Sequence, residues 1–267
     1  MKLATKTVEK VWGRRDLPPP FSAPGDEPAE EPIGEIWFEP PPQLPQVLVK
    51  YLFTGEKLSV QVHPSDAQAP PGERGKEECW LVLDAEPGAT LAIGFKQAVT
   101  REAMRAAALD GSIEDALEWH AVKAGDFFYL PAGTVHAIGP GLTLVEVQQN
   151  SDITYRLYDY GRPRELHLDE GLAVARGEPY PAACRQFVPP GASRTLVDGP
   201  FFRFSQCVGA PDTGIRRAHS GALLALPLEG SVAIDGQEIA AGECGLARSV
   251  DAIAFGRVGR TLLVSAA

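Results

Sequence analysis

The chain has little cysteine, and what it has follows no pattern. Cys79, Cys184, Cys207 and Cys244 are its four thiols in 267 residues, with no CxxC pair and no dense framework. That argues against a disulfide scaffold and predicts reduced thiols in a cytoplasmic protein. No stretch approaches the about 18 apolar residues of a membrane helix, so no membrane partner is expected. The opening run MKLATKTVEKVWGRRD lacks the apolar core of a signal peptide and is not read as one. Clustered positive charge is also missing. With 35 acidic and 25 basic residues the net charge is -10, a poor match to nucleic acid or anionic lipid. The excess serves solubility, and an anionic substrate would need a locally basic site set against it. The 24 prolines and 27 glycines show no period, which excludes a collagen-like chain.

What is present is apolar sequence in short runs. Hydrophobic residues make up 44% of the chain, ample for a core. Gln46 to Phe53, Leu58 to Val62, Cys79 to Leu83, Thr90 to Phe95, Phe127 to Leu130 and Leu142 to Gln148 are rich in β-branched, leucine and aromatic residues. Most are bounded by Gly, Pro or Asp, and they read as strands of a sandwich or barrel. Helical patches interrupt them. Thr100 is placed to cap a helix running to Leu109, Ser112 starts a second, and His167 to Ala175 forms a third. Asp16 to Pro32 and Pro40 to Pro45 read as proline-rich surface loops. After Gly191 the strand pattern restarts at Phe201 to Val208, Leu223 to Leu226, Ser231 to Ile234 and Thr261 to Val264, with a hairpin turn at Asp235-Gly236. A boundary is expected near Pro181 to Gly191: a unit over 1–182 with a small helical insertion near 99–119, then a smaller β unit over 183–267.

Two spacings carry chemistry. Gly55, five residues, Gln61, one residue, His63 is the first. Gly125, five residues, Pro131, one residue, Gly133, two residues, His136 is the second. They resemble the paired metal motifs of cupins, with Gln61 where most cupins have His. Strand residues at i and i+2 share a face, so Gln61 and His63 can reach one ion. Pro131 and Gly133 make the corner that delivers His136. A third protein ligand should be a carboxylate. Asp66, Glu73, Glu77 and Glu78 are near, and spacing alone leaves Glu78 and Glu77 both open. By alternation Thr154, Arg156 and Tyr158 share a face, and an inward Arg156 would be costly unless it meets an anion.

The stretches LSVQVHPSD, GKEECWLVLDAEPGA, LPAGTVHAIG and VEVQQNSDITYRLYD, with KVWG and IGEIWF before them, resemble the type I mannose-6-phosphate isomerases. The chain is similar to a short bacterial-type member, from Lys10 to about Arg162 and more weakly beyond. The resemblance implies an all-β fold of two cupin-like jelly-roll barrels, the second degenerate. It implies one Zn²⁺ per chain on Gln61, His63, Glu78 and His136, settling the carboxylate. It implies isomerisation of mannose 6-phosphate and fructose 6-phosphate through an enediol. Arg156, Lys76 and Glu146 match catalytic positions, Ser59 a substrate hydroxyl position, and Arg162 the basic position associated with the phosphate. The implied partner is a small sugar phosphate, and the protein is expected as a monomer or weak homo-oligomer.

Two other functions are compatible with the spacings. His63, Glu78 and His136 could hold Fe(II) in an oxygenase, although Gln61 as a fourth ligand argues against it. A non-enzymatic sugar-phosphate-binding cupin is the other. His120, His167 and His219 read as structural, Trp12, Trp37, Trp80 and Trp119 as packing, and Gly34-Glu35 as a turn without a role. In the second unit Gly242, five residues, Arg248 continues to Val250 and Phe255 or other non-ligands, so no metal is expected there.

Overall fold

The computed structural model describes residues 1–21, 29–257 and 259–267. The expected Asp16 to Pro32 loop therefore lies partly outside the described residues.

The first half of the chain forms β1 (Thr5–Arg14), β2 (Ile33–Phe38), β3 (Val47–Thr54), β4 (Val60–Val62), β5 (Glu78–Ala85) and β6 (Thr90–Phe95). Then come α1 (Arg101–Asp110), α2 (Ile113–Ala116), β7 (Leu117–Ala121), β8 (Asp126–Leu130), β9 (His136–Ile138), β10 (Leu142–Gln149), β11 (Tyr155–Tyr158) and α3 (Leu168–Val174). The Thr100 hydroxyl accepts from the Ala103 amide at the start of α1, and Gly111 closes that helix with φ 87°. The remainder supplies β12 (Arg185–Phe187), β13 (Arg194–Asp198), β14 (Phe202–Val208), α4 (Thr213–Ala218), β15 (Leu223–Glu229) and β16 (Ser231–Ile234). It ends with β17 (Gln237–Ala240), β18 (Gly245–Ala247), β19 (Ile253–Phe255) and β20 (Arg260–Ala266). Asp235 and Gly236, both at positive φ, turn β16 into β17 as the Asp-Gly signal requires.

A seven-stranded sheet, ordered β1-β2-β3-β10-β5-β8-β12, faces a five-stranded one ordered β11-β4-β9-β6-β7. A second pair follows, β13-β14-β20-β15-β18 and β17-β16-β19. The expected jelly-roll layers are there, but the sheets are open layers rather than closed barrels, because no strand pairing joins one sheet to the next among the described residues.

The middle of the large sheet is buried on both faces, and every residue of β3 and β10 is buried. Val49, Tyr51, Val145 and Val147 pack with Phe204, Leu224 and Leu262 of the later sheet in one continuous core. Leu52, Trp80 and Leu144 on the opposite face pack toward Leu91, Ile93 and Ile138 of the five-stranded sheet. Burying both faces removes the polar alternation of a half-exposed strand. The expected boundary falls just before β12, which still pairs with β8 of the large sheet.

Candidate metal centre and cavity

Strand register builds the site as two rows. Across the small sheet, Arg156 pairs with Gln61 and Gln61 with His136. Across the large sheet, Trp37 pairs with Lys50, Lys50 with Glu146, and Glu146 with Trp80. The rows meet where the Trp80 ring stands edge-on to His136 at 5.2 Å. Paired residues on antiparallel strands project to the same face, so each row presents its side chains together. Gly133, in the corner before His136, has φ 84°, and a Cβ there would meet the Val174 carbonyl oxygen at 2.8 Å. Only glycine suits that turn.

Among the described residues, His63, Glu78 and His136 form a group whose ligand atoms lie within 4.8 Å of one another. His63 Nδ1 lies 2.7 Å from the Ile153 carbonyl oxygen and His136 Nδ1 2.9 Å from that of Thr134. Each Nδ1–H donates to its carbonyl, which leaves the two Nε2 lone pairs for the centre. Glu78 places Oε1 at 3.4 Å from His136 Nε2 and Oε2 at 3.7 Å from His63 Nε2. Gln61 Nε2 lies 3.2 Å from His136 Nε2, and a half-turn of the amide brings Oε1 to the same position.

The donor set fits a divalent cation. Both Glu78 oxygens are buried without a hydrogen-bond donor in satisfactory geometry, although the Lys76 ammonium stands 2.9 Å from Oε2 as an ion pair. Burial lowers the His63 imidazole well below its ordinary value, with the Lys76 charge adding to it. Burial also takes His136 down to about 4, so both rings are neutral near pH 7. Two imidazoles, a carboxylate and an amide oxygen suit Zn²⁺ or a similar ion.

A cavity of ≈ 350 Å³ opens beside this group. Gln61, Ser59, Lys76, Glu146 and Arg156 line it, so five of the expected residues come together. Ser59 Oγ lies 3.3 Å from Gln61 Oε1. Burial alone would lower the Lys76 ammonium, but the Glu78 and Glu146 carboxylates outweigh it and raise it. Burial raises Glu78 despite Lys76. Burial would raise Glu146 too, yet Lys50 and Lys76 hold it well below the usual carboxylate range. Lys76 is thus held as a cation and Glu146 as an anion.

Arg162 is not at the cavity. It pairs with Asp159 at 3.3 Å and donates to the Lys57 carbonyl. Arg164 lines the cavity instead, held by a two-pronged pair to the buried Asp159 at 2.6 and 2.8 Å. Tyr158 is absent from the lining as well, because the register shifts between Arg156 and Tyr158 and breaks the expected alternation. Such a bulge re-aims the residues after it.

Lys10 and Lys50, which the sequence leaves without a role, also line the cavity, as do Glu35, expected in a turn, and Trp12 and Trp37, expected as packing. Glu35 is no turn residue: it lies within β2 and is buried. Lys50 has a readable signal, a lone charge inside the apolar run QVLVKYLF. His219 and Cys244 lie away from the cavity, His219 between two serine hydroxyls and Cys244 in the shared apolar core.

No family model matches the chain. It is 43% identical over 166 residues to "Mannose-6-phosphate isomerase" of Streptococcus mutans, covering 58% of this chain and 52% of that one. It is 46% identical over 137 residues to "Mannose-6-phosphate isomerase ManA" of Bacillus subtilis, covering 48% and 43%. Over about half its length the chain is similar to proteins named mannose-6-phosphate isomerase. It spans about half the length of the curated relatives it matches. In fold it resembles the mannose 6-phosphate isomerase of Bacillus subtilis, with TM-score 0.77 and 24% identity over 99% of this chain and 98% of that one. A phosphomannose isomerase structure from Salmonella typhimurium, a K132A mutant, gives TM-score 0.72 and 16% identity over 99% of each chain. The fold of these mannose-6-phosphate isomerases extends over both halves of the chain.

Proposed function

We propose that this protein is a zinc-dependent aldose-ketose isomerase that interconverts mannose 6-phosphate and fructose 6-phosphate through an enediol. The observation that carries the reading is the buried His63, Glu78 and His136 group beside a cavity lined by cations, in a chain similar to proteins of that name. One Zn²⁺ per chain would be held by Gln61, His63, Glu78 and His136, acting as a Lewis acid on substrate oxygens. Lys76, kept as an ammonium, supplies a proton or a fixed positive charge next to the reacting carbons. Glu146, kept as a carboxylate, can accept a hydroxyl proton from the sugar. Ser59 orients the sugar through its hydroxyl.

Arg156 stabilises developing negative charge or the phosphate. Burial and the neighbouring Arg164 both disfavour its cationic form, an arrangement that an anion between the two would relieve. Arg164 rather than Arg162 is suited to the phosphate, because it faces the cavity. The protein acts as a monomer or weak homo-oligomer, and its four free thiols suit a reducing compartment. Residues 183–267 serve as a packing unit on the catalytic unit formed by residues 1–182.

The test is isomerase turnover with mannose 6-phosphate, together with the metal content of the purified protein. Turnover with stoichiometric zinc supports the reading. Stoichiometric iron with oxygen uptake, or sugar phosphate binding without turnover, overturns it.

A further inference from the structure

The cavity wall carries a second set of charges, separate from the metal group. The Glu35 carboxylate is only 8% exposed. Its Oε1 lies 3.5 Å from Lys10 Nζ, and its Oε2 lies 3.8 Å from Lys50 Nζ. The Trp37 indole N–H donates to Oε2 from two residues away on the same strand. Lys50 is 4% exposed. Its ammonium stands 3.0 Å from Glu146 Oε2 and 4.5 Å from the centre of the Trp37 ring.

These distances decide what Lys50 has to spare. An ammonium has three donors. Glu146 is close enough to take one, whereas 3.8 Å to Glu35 is too long for a hydrogen bond. Glu35 therefore attracts Lys50 without using a donor. It is anchored short of closing the gap by the Trp37 indole at Oε2 and the Lys10 ammonium at Oε1. Among the described residues, Lys50 is left between two carboxylates, with N–H groups to spare at the cavity it lines.

We propose that Glu35 is a positioning residue: anchored by Trp37 and Lys10, it holds the Lys50 ammonium away from full collapse onto Glu146, with donors free for the oxygens of the bound sugar phosphate. The inference rests on the isomerase reading for its substrate class. It gives the paired strands β1 and β2 a role in the site. Without the Glu35 charge, Glu146 is the one carboxylate left in ion-pair distance of Lys50 among the described residues, and both groups lose their freedom to meet substrate.

The test is Glu35→Gln, which keeps the shape of the side chain and an acceptor for Trp37. The expected result is KM raised about tenfold and kcat changed by less than about threefold, with metal content unchanged. Calorimetry with fructose 6-phosphate on metal-free protein should show the same weakening of Kd. In a Lys50→Met background, Glu35→Gln should add little, because its effect runs through Lys50. Glu39→Gln, at an exposed position just past β2, should change neither quantity. If Glu35→Gln does not fold, Trp37→Phe releases the same carboxylate, and KM should rise about threefold.

Unchanged KM and Kd in Glu35→Gln, or an undiminished effect in the Lys50→Met background, overturns the inference while the isomerase reading stands. If the unmutated protein binds fructose 6-phosphate without turnover, the isomerase reading falls and the Kd series alone decides the inference. If it binds no sugar phosphate at all, both fall.

Discussion

Gln61 on β4 and His136 on β9 are direct partners across the small sheet, and their side-chain amide and imidazole meet at 3.2 Å. One motif is thereby locked against the other by backbone register. Replacing His136 by Ala removes the Nε2 of a ring that is held in place through Nδ1 by the Thr134 carbonyl. His136→Ala should lose stoichiometric zinc and activity together. Metal analysis of the purified variant checks this, and retained zinc would move the ligand role elsewhere.

Arg156 and Arg164 should separate chemistry from phosphate binding. Arg156→Ala is expected to fold, keep its zinc and lose about 10²- to 10³-fold in kcat, the usual cost of one preorganised donor. Arg164→Ala should act mainly on KM, raising it about tenfold. Arg162→Ala should change KM less, because Arg162 points to Asp159 and Lys57. Steady-state kinetics, melting temperature and zinc content of the three variants check the order.

The later half has its own titrating group. His219 is 1% exposed, with its ring nitrogens 2.9 Å from the hydroxyls of Ser265 and Ser205. Burial, then the Arg203 charge, take it down to about 4, against an ordinary 6.5. The unfolded chain thus binds a proton at this residue that the folded one refuses. Stability is full above pH 6.5 and falls as pH drops from 6.5 toward 4, by about 3 kcal/mol. His219→Gln should flatten that portion of the profile. Urea midpoints at about pH 7 and about pH 4.5 for both proteins give the difference.

The core shared by the two halves predicts joint unfolding. Phe127 and Phe204 lie 6.1 Å apart across it. Phe204→Ala should cost about 3–5 kcal/mol. Calorimetry should still show one transition, at lower temperature. Two separate transitions would mean that 183–267 folds independently.

The metal motifs are legible because each is local, with a glycine frame, a strand and a ligand within twelve residues. Strand positions are legible wherever the run is apolar. β1 escapes this reading because half of TKTVEKVWGR is exposed, and charged and polar residues interrupt its apolar ones. Glu35 and Lys50 carry no local signal of shared purpose, since they meet only through the register of β2, β3 and β10. The choice of Arg164 over Arg162 turns on Asp159, which draws both guanidiniums while Lys57 claims one of them. Such competition lies in tertiary packing and leaves no periodic trace.

The most direct measurement is conversion of mannose 6-phosphate to fructose 6-phosphate by the purified chain, before chelation, after it, and after zinc is returned. Turnover should vanish with the metal and recover at one zinc per chain. Turnover that survives complete removal of metal, or none at any zinc concentration, would contradict it.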